Sequence, residues 1–221
     1  MSPRLRHDAA NDARFLPFPL HRARPRVYPV PAAGSAPAAP AIEYLIASSA
    51  DELSAAAALV QACYGWRGYD TESTGPHPGE STLLARIGDR VIGTVTVRNG
   101  TRTRLQAEAG FAEHVGELRR QGRRLVEYTR FAIDRGWTGR NDLAAELIRR
   151  ALLLGRVALG ATDCVIEVNP RHMRYYQRQF GFTVRGPERT CERVGAPARL
   201  LHLDMAVPPP CIAHDQAPRL H

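Results

Sequence analysis

Glu127 and Arg130 stand three residues apart in the run Val126–Asp134, VEYTRFAID. A carboxylate set among aromatic and aliphatic neighbours is costly unless something pairs it. Glu127 is therefore either an ion-paired strand residue or a proton acceptor beside a ligand. Arg130 offers a planar fork that suits a carboxylate, or else it pairs Glu127 structurally. Odd spacing on a strand sends two side chains to opposite faces, so both line one pocket only if a bulge intervenes.

Three further groups could take part in chemistry. Tyr175 and Tyr176 precede Gly181-Phe182 and are either proton donors or aromatic packing; His172 nearby is either functional or a surface or capping residue. The stretch Asp134 to Asp142 holds Arg135, Gly136, Gly139 and Arg140 ahead of a helix. Backbone amides there could cradle a phosphate, although Asp142 competes for the positive helix end; the same residues also suit a plain polar loop. The segment Tyr64–Glu80 carries Trp66, Tyr69, Asp70 and Glu72. Its aromatics could wall an apolar channel and its acids could hold an ammonium group, or the segment is a surface loop with two tucked aromatics.

The elements that position these residues follow from periodicity. Glu43–Ala47 is a short strand, and Asp51–Cys63 is a helix capped by Ser49 or Asp51. Ser81–Ile87 and Arg90–Arg98 flank Gly88-Asp89 and form a hairpin. Ala109–Arg120 is helical through Phe111, Val115 and Leu118, and Arg124–Ile133 is a central strand. Asn141–Leu159 is an amphipathic helix, and Asp163–Val168 a buried strand. Asn169–Phe180 is a helix with Pro170 in its first turn, stopped by Gly181. Phe182–Arg185 and Leu200–Ala206 are the last strands. The order is α/β, antiparallel in front and crossover-connected behind. The strands on either side of the Asn141–Leu159 helix would be parallel neighbours, and a crevice at their carboxyl ends is a common ligand position.

Composition bounds the rest. Residues 1–40 hold eight prolines and six arginines against two aspartates, and read as a disordered arm. Residues 207–221 read as a Pro-rich tail, leaving a folded domain over 41–206. No stretch approaches the roughly 18 apolar residues of a membrane span, and no signal-type segment opens the chain. Four separated cysteines without a C-x-x-C pair argue against a disulfide scaffold or a zinc site, and fit a reducing cytoplasm. All 30 basic residues are arginine and the net charge is +8. A GC-rich codon bias explains the choice of arginine. The charge still favours acidic partners, whether nucleic acid, anionic lipid or an acidic carrier protein. No helix-turn-helix, RNA-binding strand signature or zinc spacing supports the nucleic-acid alternative.

The order of elements resembles the GNAT acyltransferase fold: a mixed, mostly antiparallel sheet with splayed parallel strands, flanked by helices. Glu127, Arg130 and Phe131 resemble the Glu-x-x-Arg-Phe pattern of LuxI-type acyl-homoserine-lactone synthases. Asn169–Arg185 (NPRHMRYYQRQFGFTVR) and Gly195–Met205 (GAPARLLHLDM) are similar to the FeeM-like long-chain N-acyl amino acid synthases. Those show an N-P-R-H…F-Y…F-G-F run and then a P-A-x-L-L-x-L-D strand. The resemblance implies transfer of a fatty acyl group from the phosphopantetheine thioester of an acyl carrier protein, or from CoA, to the α-amine of an amino acid. The thioester is a co-substrate, and neither a resident cofactor nor a metal is implied. Glu127 would receive the amine proton and Arg130 would clamp a carboxylate. Tyr176 would protonate the leaving thiolate, although it lies five residues before Gly181 where the fold usually has four. Arg135, Gly136, Gly139 and Arg140 would meet the donor phosphate; Trp66, Tyr69, Asp70 and Phe131 would meet substrate. Acyl-homoserine-lactone synthesis, acetyl-CoA-dependent acetylation and a non-catalytic carrier-binding or nucleic-acid-binding module are the alternatives.

Overall fold

A computed structural model describes residues 41–65, 77–139 and 141–207. The arm at 1–40, nearly all of the Pro-rich tail, Trp66, Tyr69, Asp70, Glu72 and Arg140 lie outside the described residues.

One seven-stranded sheet organises the chain, in the order β1-β2-β3-β4-β5-β7-β6. Its strands are β1 (Glu43–Ile46), β2 (Glu80–Ile87), β3 (Arg90–Asn99), β4 (Leu125–Ile133), β5 (Asp163–Val168), β6 (Thr183–Cys191) and β7 (Ala196–Asp204). Only β4 and β5 are parallel; every other neighbouring pair is antiparallel. Helices α1 (Ala50–Tyr64) and α2 (Glu108–Arg120) cover one face, and α3 (Asn141–Leu153) and α4 (Met173–Phe180) the other.

Local chemistry sets the boundaries. Ser49 caps α1 in a capping box: its hydroxyl accepts from Glu52 N, and the Glu52 carboxylate accepts from Ser49 N. The β2–β3 turn falls at Gly88-Asp89, where Gly88 takes a positive φ of 55°. Asn169 accepts from Arg171 N and opens a single 3-10 turn, Pro170–His172, before α4 begins. Gly181 ends α4 in the left-handed conformation.

Two expectations need correction. The helix expected to reach Leu159 is α-helical only to Leu153 and then widens into a π turn, Leu154–Ala158. Gly155 permits this: a Cβ there would stand 3.1 Å from Val126 Cγ2 and 3.4 Å from the Tyr128 hydroxyl. The last two strands are longer than expected, running over Thr183–Cys191 and Ala196–Asp204, and they form a hairpin. Pro187 lies on β6, an edge strand that tolerates a missing N–H, and Pro197 lies beyond the part of β7 that β5 pairs.

Alternation along β4 separates two cores. Val126 and Tyr128 pack with Leu147, Ile148 and Phe180 under α3 and α4. Leu125 packs with Phe111, Val115 and Leu118 of α2, joined by Val165 and Leu200. Farther along, Ala132 meets Leu59 and Val60 of α1 while Ile133 faces α3. Odd residues thus face α2 at the start of β4, and an even residue faces α1 at its end. The register explains the switch. Thr94 pairs Ala132 and Thr96 pairs Thr129, so one extra β4 residue is accommodated between them. Arg130 sits in this bulge at φ 50°, and no other described non-glycine residue has a positive φ.

Candidate active site

The parallel ladder between β4 and β5 is short. Leu125 pairs Asp163, Val126 pairs Cys164 and Glu127 pairs Val165; there the pairing ends. Beyond it β4 stays with β3 to Ile133, and β5 stays with β7 to Val168. The two strands part immediately after Glu127, at their carboxyl ends.

On the α1/α2 face, four charged side chains form a connected row across three strands. Glu80, Arg98 and Glu127 occupy directly opposed positions on β2, β3 and β4. Arg98 Nη1 lies 2.6 Å from Glu80 Oε1, and Arg130 Nη1 donates to Glu80 Oε2 at 2.8 Å. Arg98 Nε stands 4.0 Å from Glu127 Oε2, beyond hydrogen-bond reach. The bulge is what returns Arg130 to the face of Glu127. A hydroxyl row lies beside the charged one: Thr82 and Thr96 share a 2.9 Å hydrogen bond. Thr129 Oγ1, opposite Thr96, is buried without a hydrogen-bond partner among the described residues.

Glu127 is 1% exposed. Its Oε2 accepts from Gln106 N at 2.6 Å and its Oε1 from Ala107 N at 2.8 Å, the amides that lead into α2. Ala107 has no capping side chain of its own, so the Glu127 carboxylate serves as the cap from across the sheet. Burial pushes the Glu127 carboxyl up to about 7; the two amides and the Arg98 and Arg193 guanidinia oppose the shift without cancelling it. A carboxyl poised there changes protonation near neutral pH and keeps one further lone pair on each oxygen.

On the α3/α4 face the parting strands are walled by aromatic and aliphatic groups. Tyr176 packs edge-on against Phe182, with ring centroids 5.9 Å apart, and near Phe180 and Tyr175. Tyr128, Cys164 and Ile166 belong to the same cluster. Burial raises the phenols of Tyr128 and Tyr176 and the thiol of Cys164, so all three keep their protons. Phe131 is half-buried against this cluster, and its carbonyl accepts from the Tyr64 hydroxyl at 2.6 Å.

The stretch after β4 takes a different form from a phosphate cradle. Asp134 accepts from Gly136 N at 2.8 Å and pairs with Arg90. The Gly136 amide is thus committed to an acid in this arrangement. Arg135–Trp137 forms one 3-10 turn, and Gly139, at φ 88°, leads toward α3. A separate shallow cavity of about 320 Å3, lined by Arg123, Arg124 and Arg156 around Asp204, lies beside the starts of β4 and β5, away from where they part.

Sequence reasoning singled out Glu127 and Arg130 but missed Glu80, Arg98 and Thr129. The signal was present as alternation: Glu80 and Thr82 on β2, Thr96 and Arg98 on β3, and Glu127 and Thr129 on β4 are polar residues two apart. On three paired strands they share one face.

No curated protein matches the chain. Among solved structures, FeeM, an N-acyl amino acid synthase from uncultured soil microbes, is 25% identical with a TM-score of 0.66, over 76% of this chain and 93% of that one. Two others share the fold at 16% identity. They are an acyl-CoA N-acyltransferase from Pseudomonas aeruginosa (TM-score 0.54, 73% and 99% covered) and the AHL synthase LasI (TM-score 0.57, 76% and 91% covered). The family model described as N-acyl amino acid synthase FeeM matches residues 55–204. With its sheet parted beside Glu127 and most of its length matched, the chain belongs to the FeeM family and is an N-acyltransferase that moves an acyl group onto an amine.

Proposed function

We propose that the donor is a long-chain acyl thioester on an acyl carrier protein and that the acceptor is the α-amine of an amino acid. The observation that carries this reading is the parting of β4 and β5 with Glu127 and Arg130 on one face and an aromatic and aliphatic wall on the other. Glu80 occupies one Nη of Arg130, which leaves the rest of the fork for an acceptor carboxylate. The Thr129 hydroxyl stands nearby as a second donor.

In the step itself, the amine nitrogen attacks the thioester carbonyl and a tetrahedral oxyanion forms. The amine proton passes through water to Glu127. The oxyanion then collapses, the C–S bond breaks, and the Tyr176 phenol donates to the departing sulfur; burial keeps that phenol in the proton-bearing form that can donate.

Two features favour a carrier protein over CoA. A pyrophosphate would meet Asp134 and Asp142 at the turn where a cradle is expected, whereas the single phosphodiester of a carrier asks less of it. In addition, Arg171, Arg174 and Arg178 are exposed at helical spacing along the Pro170–Phe180 segment, which contains no acid. None of the three forms an ion pair among the described residues. Such a stripe complements an acidic helix.

Expression in a bacterial host followed by mass spectrometry of lipid extracts tests the reading. N-acyl amino acids should accumulate. Purified enzyme should prefer acyl carrier protein thioesters to the matching acyl-CoA. Products formed on amines that lack a carboxylate, or equal use of CoA, would refute the acceptor or the donor assignment respectively.

A further inference from the structure

Glu80 is the hub of the charged row. Its side chain is 5% exposed, and its two oxygens hold two different guanidinia, Arg98 on one side and Arg130 on the other. Register alone already aligns β2, β3 and β4, because Glu80, Arg98 and Glu127 are backbone partners in antiparallel ladders. The ion pairs are therefore not needed to set the strands. What they do set is where two guanidinium groups point. Arg98 is drawn to Glu80 at 2.6 Å, with Nη2 on the Arg104 carbonyl at 2.9 Å, and is left 4.0 Å from Glu127, its buried Nε lacking a hydrogen-bond partner among the described residues. Arg130 reaches Glu80 from a backbone conformation that side-chain-bearing residues rarely adopt, and such strain gathers where geometry serves a site.

We propose that Glu80 is a positioning residue: its carboxylate aims Arg130 at the acceptor's carboxylate and holds Arg98 back from Glu127. The inference rests on the roles given above to Arg130 and Glu127. The groups that face Glu127 are Arg98 from β3, the Gln106 and Ala107 amides ahead of α2, Arg193 from the β6–β7 turn and Cys164 from β5. Of these only Arg98 is shared with Glu80. Neutralising Glu80 removes the competitor. Arg98 keeps its Nη2 on the Arg104 carbonyl at 2.9 Å, but its charge is no longer offset by Glu80 and acts on Glu127 from 4.0 Å, which stabilises the charged form of Glu127. The acid limb of kcat/KM, which reports the free enzyme's base, moves to lower pH. At the same time Arg130 loses its anchor, so the acceptor binds more weakly while the thioester binds as before.

The test is Glu80→Gln in the full chain, with Glu80→Asp as the conservative partner. Three quantities are read: KM for the amino acid, KM for the acyl carrier thioester, and the titration of the Glu127 carboxyl by 13C NMR. Glu80→Gln should raise the amino-acid KM about 10-fold, consistent with a lost charged hydrogen bond, and leave the thioester KM unchanged. The Glu127 titration should fall by about one pH unit. Glu80→Asp should restore part of both effects, and it carries the comparison alone if the Gln variant does not fold. A Glu127 titration that stays in place, or two KM values that rise together, would overturn the assignment. The NMR titration needs no turnover, so it separates this inference from the proposed reaction. If wild-type enzyme acylates no amino acid, the reaction fails; if the titration does not move, Glu80's role fails.

Discussion

Substituting Glu127 by Gln keeps the shape of the side chain and removes its charge, and the structure fixes what should follow. Burial raises the Glu127 carboxyl from an ordinary 4.5 to about 7. A folded-state value above the unfolded one means that the folded protein holds the proton more tightly. The contribution of this one group to stability is then fully present below pH 4.5 and is lost as the pH rises through 7. At about 1.4 kcal/mol per pH unit, that separation makes the charged form cost about 3 kcal/mol in the folded state above pH 7. Gln carries no such charge. Its single carboxamide oxygen satisfies only one of the Gln106 and Ala107 amides and faces the other with a donor, a loss of about 1–3 kcal/mol that does not depend on pH. The Gln variant should therefore be the less stable protein at pH 5 and recover relative to wild type by about 2.5 kcal/mol at pH 8. Urea unfolding at a series of pH values measures this. Its acyl transfer should fall about 100-fold or more at pH 8, where Glu127 is ionised, and by progressively less toward pH 5, where the wild-type carboxyl already holds its proton. Stability curves for the two proteins that run parallel from pH 5 to 8 would show that Glu127 does not titrate in that window, and the argument for a poised base would fail. Wild-type activity in the variant would remove the base and leave only the cap.

Other outcomes follow from the same geometry. Arg130→Ala should raise the amino-acid KM about 10- to 100-fold with a smaller change in kcat, read by steady-state kinetics with the thioester saturating. Tyr176→Phe keeps the contacts with Phe180 and Phe182, so its melting temperature should hold while kcat falls about 100-fold; an unchanged kcat would assign Tyr176 to packing alone. Replacing Arg171, Arg174 and Arg178 together by Gln should raise the KM for acyl carrier protein and flatten its dependence on salt. Turnover of a free acyl-pantetheine should stay as in wild type.

Most of the scaffold was legible because its signals are local. Ser49, Gly88-Asp89, Asn169-Pro170 and Gly181 each act through neighbours within a few residues: Ser49 is the one of two expected candidates that caps α1, Gly88-Asp89 and Gly181 set their boundaries as expected, and Asn169-Pro170 opens a 3-10 turn ahead of α4. Where the reading fell short, tertiary context decided. Pro187 and Pro197 signal breaks only until their strands are known to lack a ladder partner on that side. The π turn after Leu153 depends on how closely Gly155 approaches Val126 and Tyr128, which no helical period contains. The site divides in the same way. Glu127 was visible as an acid in an apolar strand. Its partners were not, because the Gln106 and Ala107 amides carry no side-chain signature and lie 21 and 20 residues away. Glu80 and Arg98 look like strand ends in the sequence and acquire meaning only once register sets them opposite each other and Glu127.

The bulge connects fold and chemistry most directly. A regular β4 would send Arg130 toward α3 and α4, where Val126, Tyr128 and Ile133 already form an apolar wall and a guanidinium would have no acid. One added residue turns Arg130 back to Glu80 and still delivers Ala132 to α1 and Ile133 to α3. The disturbance falls just beyond the last β4–β5 pair, Glu127 with Val165, so no parallel pairing is sacrificed to it. A single strand can therefore present a carboxyl and a guanidinium to one side of an opening and greasy surface to the other. A polar acceptor and an apolar acyl chain require that asymmetry if they are to meet at one carbonyl carbon.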